Sequence, residues 1–302
     1  MCMKKLFLIS STAGASEFYF TKSEIEDVYR KYNREDEIEV FETEYKGHLE
    51  EIVNDFLNAS YDDKVIILLG GDGSLNGVAN LCLGHDVALG LIPTGTGNDF
   101  AKNFSYKNFR IEDTFDLEIK PIDLIKINDR YCVNVTSLGF DTEVLKTAYD
   151  YLERDKSLGK RAYLKAVIDR TGHLSYQDLT INLNLEDGRQ ITLDDEFLIS
   201  AICNGSFYGS GFNPAPQAKI DDGIINLVTA SKFPRWKLLP LIIKYKKGKH
   251  QSSKYLDEYR VTGGKISSYK IFLANNDGEI FKAHTIEFEI VPHSLHRAYF
   301  KK

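Results

Sequence analysis

In the stretch LLGGDGSLNGVAN, Leu68 to Asn80, three of the four glycines surround one acidic residue, Asp72, between an apolar run and a helical pattern. Glycine adopts positive φ angles and lets the backbone approach a ligand closely. The first turn of a helix adds free N–H groups and a partial positive charge. Ligands of open α/β sheets bind at the carboxyl ends of the strands, so this turn predicts a phosphate site.

The acidic residue in this turn needs its own explanation, because a carboxylate repels phosphate. A Mg²⁺ ion held by Asp72, directly or through water, and bridging phosphate oxygens reconciles the acid with the anion. The alternative is that Asp72 caps the following helix and that the glycines serve only the turn. The turn by itself leaves both interpretations open.

Strands and helices alternate on both sides of this turn, which is typical of a parallel sheet covered by helices. The predicted elements are a strand KKLFLIS, a helix from Ser23 to Tyr32, a strand EIEVFET, a helix from His48 to Leu57, a strand KVIILLG, a helix from Leu75 to Leu83 and a strand ALGLIP. The pattern predicts a doubly wound α/β domain over residues 1–122.

Beyond Ile122 the period changes to strands joined by short links, with helices predicted over Glu143 to Glu153 and Ala162 to Thr171. The segment LTINLNLEDGRQITL reads as a hairpin that turns at Asp187-Gly188. We therefore predict a mainly antiparallel β-sandwich domain over residues 123–302. The pattern also allows the final strands of the chain to belong to the first domain.

A second glycine-rich turn, PTGTGNDFA from Pro93 to Ala101, follows the next apolar strand and again leads towards a predicted helix. Thr94, Thr96 and Asn98 supply neutral hydrogen-bonding groups, and Asp99 supplies a further acid. The turn is neither a Walker A loop nor a GxGxxG fingerprint. Two such turns on adjacent strands favour a binding site over simple chain reversal.

These residues carry a family resemblance. GGDGS followed by Asn76, together with TGNDFA, resembles the diacylglycerol kinase catalytic-domain family, which includes bacterial lipid kinases and sphingosine kinases. NAD kinases and phosphofructokinases share GGDG but lack the second motif in this form. The segment STAG takes the place of the family's NPxAG loop, so Ser10 and Ser11 replace its asparagine and proline.

The resemblance implies ATP and Mg²⁺ as cofactors, a lipid as the acceptor, and a nucleotide-binding domain over residues 1–122. It assigns nucleotide binding to Ser10, Ser11, Thr12, Ala13, Gly14, Thr43, Gly70, Gly71, Asp72, Gly73, Ser74, Asn76, Thr96, Asn98 and Asp99. It also assigns Asp72 and the pair Asp277 and Glu279 of NNDGE to catalysis, with Glu279 as the general base for the acceptor hydroxyl. Without the resemblance, NNDGE reads as a hairpin turn.

In QAKIDDGII the resemblance implies a structural metal bound by the carboxylate of Asp222 and by the main-chain carbonyls of Lys219 and Ile224. Mixed carboxylate and carbonyl oxygens suit Mg²⁺ or Ca²⁺. Taken alone, the same residues form a turn before a strand.

The expected function is an ATP- and Mg²⁺-dependent lipid kinase, most simply one that converts diacylglycerol into phosphatidate. Two alternatives stay open. One is a kinase of a soluble acceptor such as NAD, and the other is a non-catalytic nucleotide-binding regulator, suggested by the altered NPxAG loop.

Composition limits the partners and the compartment. The net charge of −6, from 38 basic and 44 acidic residues, argues against a general duplex nucleic-acid binder. The four cysteines show no CxxC spacing, so neither a zinc site nor a disulfide framework is expected. The apolar run LFLIS is too short for a signal peptide. We expect a cytoplasmic protein, with peripheral contact at the inner face of the membrane and a homodimer as open possibilities.

The peripheral contact is suggested by residues 232–254, which lie in a stretch free of Asp and Glu from Gly223 to Leu256. Aromatic and aliphatic residues alternate there with lysines, which predicts an amphipathic helix with Pro240 as its bend. Such a helix rests on an anionic membrane, or packs on its own domain with its lysines in water. The periodicity supports both. The basic residues are Lys232, Arg235, Lys237, Lys244, Lys246, Lys247, Lys249 and Lys254.

Overall fold

The computed structural model describes residues 3–10, 18–159 and 161–301. The strands are β1 (Lys4–Ile9), β2 (Ile38–Glu42), β3 (Lys64–Gly70), β4 (Ala88–Pro93), β5 (Leu117–Ile127), β6 (Arg130–Cys132), β7 (Val135–Gly139), β8 (Gln177–Leu185), β9 (Gln190–Cys203), β10 (Ile225–Ser231), β11 (Leu256–Asn276) and β12 (Glu279–Phe300). The α-helices are α1 (Lys22–Lys31), α2 (His48–Asn58), α3 (Asp72–Cys82), α4 (Phe140–Arg154), α5 (Arg161–Thr171) and α6 (Leu238–Lys246).

The described residues divide into two compact units. The first unit contains the chain up to Ile122 and the segment from His293 onward, and the second contains Asp123–Pro292. The long strand β12 therefore contributes its beginning to the second unit and its end to the first.

The first unit contains a parallel sheet in the order β2, β1, β3, β4. The strands β1, β3 and β4 are buried along almost their whole length, as expected for apolar strands covered on both faces. The next two strands of the chain, β2 and β3, pair with opposite edges of β1. This arrangement places the carboxyl ends of β1 and β3 at the position where open α/β sheets bind ligands.

The end of β12 extends this sheet, because His296 and Arg297 pair in parallel with Ala88 and Leu89 of β4. The buried Arg297 guanidinium lies 3.6 Å from the ring centroid of Phe104. The carboxyl-terminal strand thus packs against the segment that follows TGNDFA.

The second unit is mainly antiparallel, with β7, β8, β9, β10 and β11 paired in that sense. The predicted hairpin joins β8 to β9, and Gly188 has φ 84° in its turn. One apolar core lies among the strands, and a second joins β7, β9 and β10 to α4, α5 and α6. The predicted fold class, an α/β domain followed by a β-sandwich domain, is confirmed.

Two local predictions differ from the structure. Only a 3₁₀ turn, Phe100–Asn103, follows the second glycine-rich turn, where the pattern leads towards a helix. The helix near Pro240 begins at Leu238 after a 3₁₀ turn over Arg235–Lys237. Pro240 lies in the first turn of α6, where its missing N–H breaks no helical hydrogen bond, so it does not bend the helix. Among the described residues, none of the helices has both the length and the apolarity required to span a bilayer.

Candidate functional site

The two glycine-rich turns lie side by side at the carboxyl ends of β3 and β4. Gly70 is the register partner of Pro93, and its carbonyl accepts the N–H of Thr94 at 3.0 Å and of Gly95 at 3.3 Å. A Cβ atom on Gly95 would lie 2.5 Å from the Cα of Gly71, so the approach requires glycine. The two motifs therefore form one loop pair.

Asp72 joins the two turns. Its Oδ2 accepts the N–H of Asp99 at 2.9 Å, and its Oδ1 accepts the N–H of Phe100 at 3.0 Å. The N-cap of α3 is Gly71, and no side chain caps this helix. The capping interpretation of Asp72 is therefore wrong, because its carboxylate holds the neighbouring loop instead.

The electrostatic setting of Asp72 favours a bound cation. Burial, and next the carboxylate of Asp99, raise the pKa of Asp72. Lys102 forms an ion pair with Asp99 and also donates to the carbonyl of Gly97 at 2.8 Å. Two acids close together in a partly buried loop pair are stabilised by any further positive charge.

Two polar atoms of the second turn are buried without a hydrogen-bond partner among the described residues, namely Thr94 Oγ1 and Asn98 Oδ1. Asn98 has φ 49° and donates to the carbonyl of Gly95 at 2.7 Å, which fixes its side chain. Buried polar atoms without a partner are uncommon in folded proteins and call for a bound group. Both residues are predicted as hydrogen-bonding groups of this turn, but the burial of these atoms is not visible in the motif.

The described residues fit a nucleotide phosphate and Mg²⁺. The first turn of α3 offers N–H groups with no intrahelical acceptor. A Cβ on Gly73 would meet no atom within 4 Å, so space remains beside this turn. Asp72, Asp99 and Asn98 supply the oxygen atoms that Mg²⁺ prefers.

Other predicted nucleotide residues lie at neighbouring strand ends. The N–H of Ser10 donates to the carbonyl of Leu69, and the N–H of Thr43 donates to the carbonyl of Ile9, both at 2.9 Å. The Oγ of Ser74 lies 3.3 Å from the Oγ of Ser10. The ends of β1, β2 and β3 thus converge. Asn76 is buried on α3 and Thr96 is exposed, whereas Ser11, Thr12, Ala13 and Gly14 lie outside the described residues.

The NNDGE turn lies in the second unit between β11 and β12. Asp277 Oδ2 accepts the N–H of Val133 at 2.7 Å, and Oδ1 accepts the N–H groups of Asn134 and Val135 at 3.1 and 2.9 Å. Three main-chain donors thus engage this carboxylate, and Asp277 has φ 48°. The assignment of Asp277 to catalysis stays a prediction. Glu279 follows with a side chain that is 64% exposed and 3.5 Å from Arg130.

The loop predicted to bind a structural metal is already closed by hydrogen bonds. Asp222 Oδ1 accepts the N–H of Ile224 at 3.2 Å, and Oδ2 lies 3.4 Å from a nitrogen of Arg260. Buried Asp123 accepts the N–H of Gly223 at 2.7 Å. Arg260 lies closer to Glu186, at 2.8 Å, so it neutralises Asp222 only in part. The assignment of Lys219, Asp222 and Ile224 stays a prediction.

An apolar pocket in the second unit was not predicted. It has a cavity volume of about 50 Å³. Helices α4, α5 and α6, strands β9 and β10 and the loop between these two strands line it with aliphatic and aromatic side chains, among them Leu198, Tyr208, Leu241 and Tyr245. A cavity of this volume holds only a few water molecules and is too small for an acyl chain. An acyl chain therefore enters only if the lining side chains move apart.

Asp141 is the acidic residue of this pocket. Gly139, with φ 102°, is the N-cap of α4, and a Cβ there would lie 2.3 Å from the carbonyl oxygen of Leu198. The turn at Gly139 brings Asp141 to the pocket. Its Oδ1 accepts the N–H of Thr142 at 2.8 Å, and the side chains of Ser137 and Tyr208 form further hydrogen bonds with this carboxylate. Asp141 thus places a polar group on an otherwise apolar lining.

Burial raises the pKa of Asp141 to about 6. The folded state therefore binds a proton more tightly than the unfolded chain between pH about 4 and 6. The stability contributed by this group is complete below pH about 4 and is lost as the pH rises through 6. We therefore expect the unfolding free energy of Asp141→Asn, relative to that of wild type, to be about 3 kcal/mol higher at pH 8 than at pH 4. Urea unfolding at the two pH values measures it.

Asp257→Asn, at an exposed position of β11, is the control for a change of charge alone. A stability difference between Asp141→Asn and wild type that is the same at pH 4 and pH 8 contradicts the expectation.

Comparisons with known proteins found a matching family model for each of the two units. A family model described as "Diacylglycerol kinase catalytic domain" matches residues 4–127, and one described as "YegS C-terminal NAD kinase beta sandwich-like domain" matches residues 134–298. A Shewanella frigidimarina protein described as "Probable lipid kinase YegS-like" is 28% identical over 252 residues, which is 80% of this chain and 78% of that protein. A Xanthomonas oryzae protein with the same description is 32% identical over 178 residues, 54% of each chain.

Among solved structures, a diacylglycerol kinase from Bacillus anthracis superposes with a TM-score of 0.71 at 17% identity. The alignment covers 98% of this chain and 96% of that one. At this identity the similarity concerns the fold, and it extends over both units.

Proposed function

The chain belongs to the diacylglycerol kinase catalytic-domain family, and on that premise we propose that it is an ATP- and Mg²⁺-dependent lipid kinase. The proposed reaction transfers the γ-phosphoryl group of ATP to a lipid hydroxyl, with diacylglycerol as the first acceptor to test and phosphatidate as its product. The observation that carries the lipid assignment is the apolar pocket, in which Asp141 supplies the one carboxylate of the described lining.

On the nucleotide side, we assign phosphate binding to the joined glycine-rich turns. The first-turn N–H groups of α3 orient the phosphate oxygens, and Gly71 and Gly95 keep the backbone close enough for contact. Asp72 holds the second turn in position through two main-chain N–H groups. When bound, Mg²⁺ neutralises charge on the phosphate oxygens. Phosphoryl transfer requires mainly such positioning and neutralisation.

On the acceptor side, we assign the general base to Glu279. It takes the proton of the acceptor hydroxyl while the oxygen forms a bond to the γ-phosphorus and the bond to ADP breaks. Its exposure leaves it accessible, and Arg130 is a weak surface partner. Asp277 keeps the turn in shape through its three main-chain donors.

The pocket also argues against NAD as the acceptor. NAD is polar and charged, whereas the lining consists largely of leucine, isoleucine, valine, phenylalanine and tyrosine. A buried site of this kind strongly disfavours a charged group without a partner.

Transfer of radiolabel from ATP to a panel of acceptors tests the proposal. The panel contains a diacylglycerol, a sphingoid base, a polyprenol and NAD. Label in a lipid is the expected result. Label in NAD alone supports the soluble-acceptor alternative, and nucleotide binding without any transfer supports the regulator.

The contact between the two turns gives a prediction. Gly95→Ala places a Cβ 2.5 Å from the Cα of Gly71 and 2.8 Å from Oδ1 of Asn98, so the turns must separate. A displacement of about 1 Å in a phosphate site is expected to lower kcat/KM by about 100-fold. Steady-state assays with purified variants measure this.

The matched control is Gly77→Ala on α3. A Cβ at Gly77 meets no atom within 4 Å, and alanine favours a helix, so we expect unchanged kcat/KM and a gain of about 0.5–1 kcal/mol in unfolding free energy. Wild-type activity in Gly95→Ala rules out the close contact as a requirement.

A further inference from the structure

The segment around α6 carries apolar side chains on two opposite faces. Leu238, Leu241 and Tyr245 are buried and line the apolar pocket. On the opposite side, Trp236 is 75% exposed, Leu239 is 63% exposed and Ile243 is 56% exposed. Burying one face on the domain therefore leaves a second apolar face in water. We call Trp236, Leu239, Ile243 and the exposed Lys247 the α6 outer face.

The α6 outer face is bordered by positive charge. Lys244 and Lys246 are exposed on its two flanks, one residue to either side of the buried Tyr245. Arg235 precedes it, and Lys249 follows it. Among the described residues, Lys232 is the one basic residue of the segment that forms an ion pair, with Glu196. The other cations have no acid within ion-pair distance in the described chain, although the whole protein carries a net charge of −6.

We propose that the α6 outer face docks on the surface of an anionic lipid bilayer. Exposed tryptophan and aliphatic side chains flanked by lysines match the interfacial region of a membrane, where apolar groups enter the acyl boundary and cations remain at the headgroups. Since the rest of the chain is acidic overall, a local basic surface is needed to attract anionic lipids. A second copy of this chain, equally rich in lysine at this surface, is electrostatically repelled.

The docking proposal extends the proposed lipid kinase function and rests on it, because docking matters for an enzyme whose acceptor is a membrane lipid. The same helix lines the apolar pocket with its other face, so a lipid moving from the bilayer into the pocket passes only one helix, about 10 Å across. Docking thus delivers an acceptor that does not leave the bilayer.

Trp236 is the only tryptophan of the chain, so its fluorescence reports directly on this surface. With vesicles of equal parts phosphatidylglycerol and phosphatidylcholine, we expect a blue shift of its emission and quenching by lipids brominated on their acyl chains. Pure phosphatidylcholine vesicles should give a much smaller shift, and added salt should weaken the response to the anionic vesicles. An unchanged emission maximum with anionic vesicles overturns the proposal.

Two sets of variants separate the apolar contribution from the charge. Lys244→Glu, Lys246→Glu and Lys247→Glu combined should weaken vesicle partitioning by about 100-fold or more. Leu239→Ser with Ile243→Ser should weaken it by about tenfold. The matched controls are Lys22→Glu, Lys31→Glu and Lys107→Glu combined, at exposed lysines of the first unit, and Tyr269→Ser with Ile271→Ser, at exposed positions of β11. Equal losses in test and control variants overturn the proposal.

Two further readouts distinguish the possible failures. If the variants that lose vesicle binding still phosphorylate a water-soluble short-chain diacylglycerol, docking and catalysis are separate and both proposals stand. If wild type does not bind vesicles but phosphorylates the short-chain lipid, the docking proposal fails alone. If it binds vesicles but phosphorylates no lipid, the proposed function fails and the docking surface remains. Sedimentation that shows a dimer dissociated by Leu239→Ser with Ile243→Ser assigns the surface to a second copy and overturns membrane docking.

Discussion

Asp72→Ala is expected to lower phosphate transfer by about 100- to 1,000-fold while the protein stays folded. The substitution removes a carboxylate beside the phosphate site and leaves the N–H groups of Asp99 and Phe100 without their acceptors. Each unsatisfied donor costs about 1–3 kcal/mol, which the second turn relieves by moving away. Turnover with a lipid acceptor and a thermal melt of the same preparation measure the two effects.

Asp72→Asn separates the structural tie from the charge. An amide keeps one oxygen that accepts a main-chain N–H but cannot hold a cation in the way that a carboxylate does. Since only one of the two main-chain N–H groups keeps its acceptor, we expect this variant to melt between Asp72→Ala and wild type and to remain strongly impaired in transfer. Asp113→Ala, which removes another carboxylate bonded to a main-chain N–H of the first unit, is the matched control. Full turnover in Asp72→Ala removes this residue from the proposed phosphate site.

Glu279→Gln is expected to lower kcat by about 100- to 10,000-fold with little change in the KM for ATP. Glutamine has the size of glutamate but does not accept a proton from the acceptor hydroxyl. The lost ion pair with Arg130 has little effect on stability, because both side chains are 64% exposed. Steady-state kinetics with varied ATP and varied acceptor separate the two parameters.

The chain offers a close control for this substitution in Glu289 on the same strand. Glu289 is similarly exposed and pairs with Lys126 at 3.3 Å. Glu289→Gln therefore makes the same chemical change on β12 without touching the NNDGE turn, and we expect wild-type kcat. Equal kcat values for the two variants assign the base to another group.

Much of the fold was predictable because its signals are local. The apolar strands β1, β3 and β4 are continuous runs, and the turn at Asp187-Gly188 has the residues that a hairpin prefers. The helix around Pro240 was placed correctly, but its bend was not. The local sequence does not show at which residue the helix begins. It therefore does not distinguish a proline in the first turn from one in the middle of a helix.

The candidate site was predictable in its motifs and not in its contacts. Glycines and acids in GGDGS and TGNDFA mark the two turns, but the bonds from Asp72 to the N–H groups of Asp99 and Phe100 join residues 27 and 28 positions apart. The burial of Asp141 depends on helices from three parts of the chain. Long-range packing of this kind leaves no periodic trace in a sequence.

The pairing of His296 and Arg297 with β4 has a consequence for biosynthesis. A ribosome releases residues 1–122 long before residues 293–300, so the nascent first unit waits with one edge of its sheet uncovered. An uncovered edge strand invites pairing with other chains, and a chaperone that shields it during translation reduces that risk. Residues 293–301 thus complete the first unit only after the whole second unit, Asp123–Pro292, has been made.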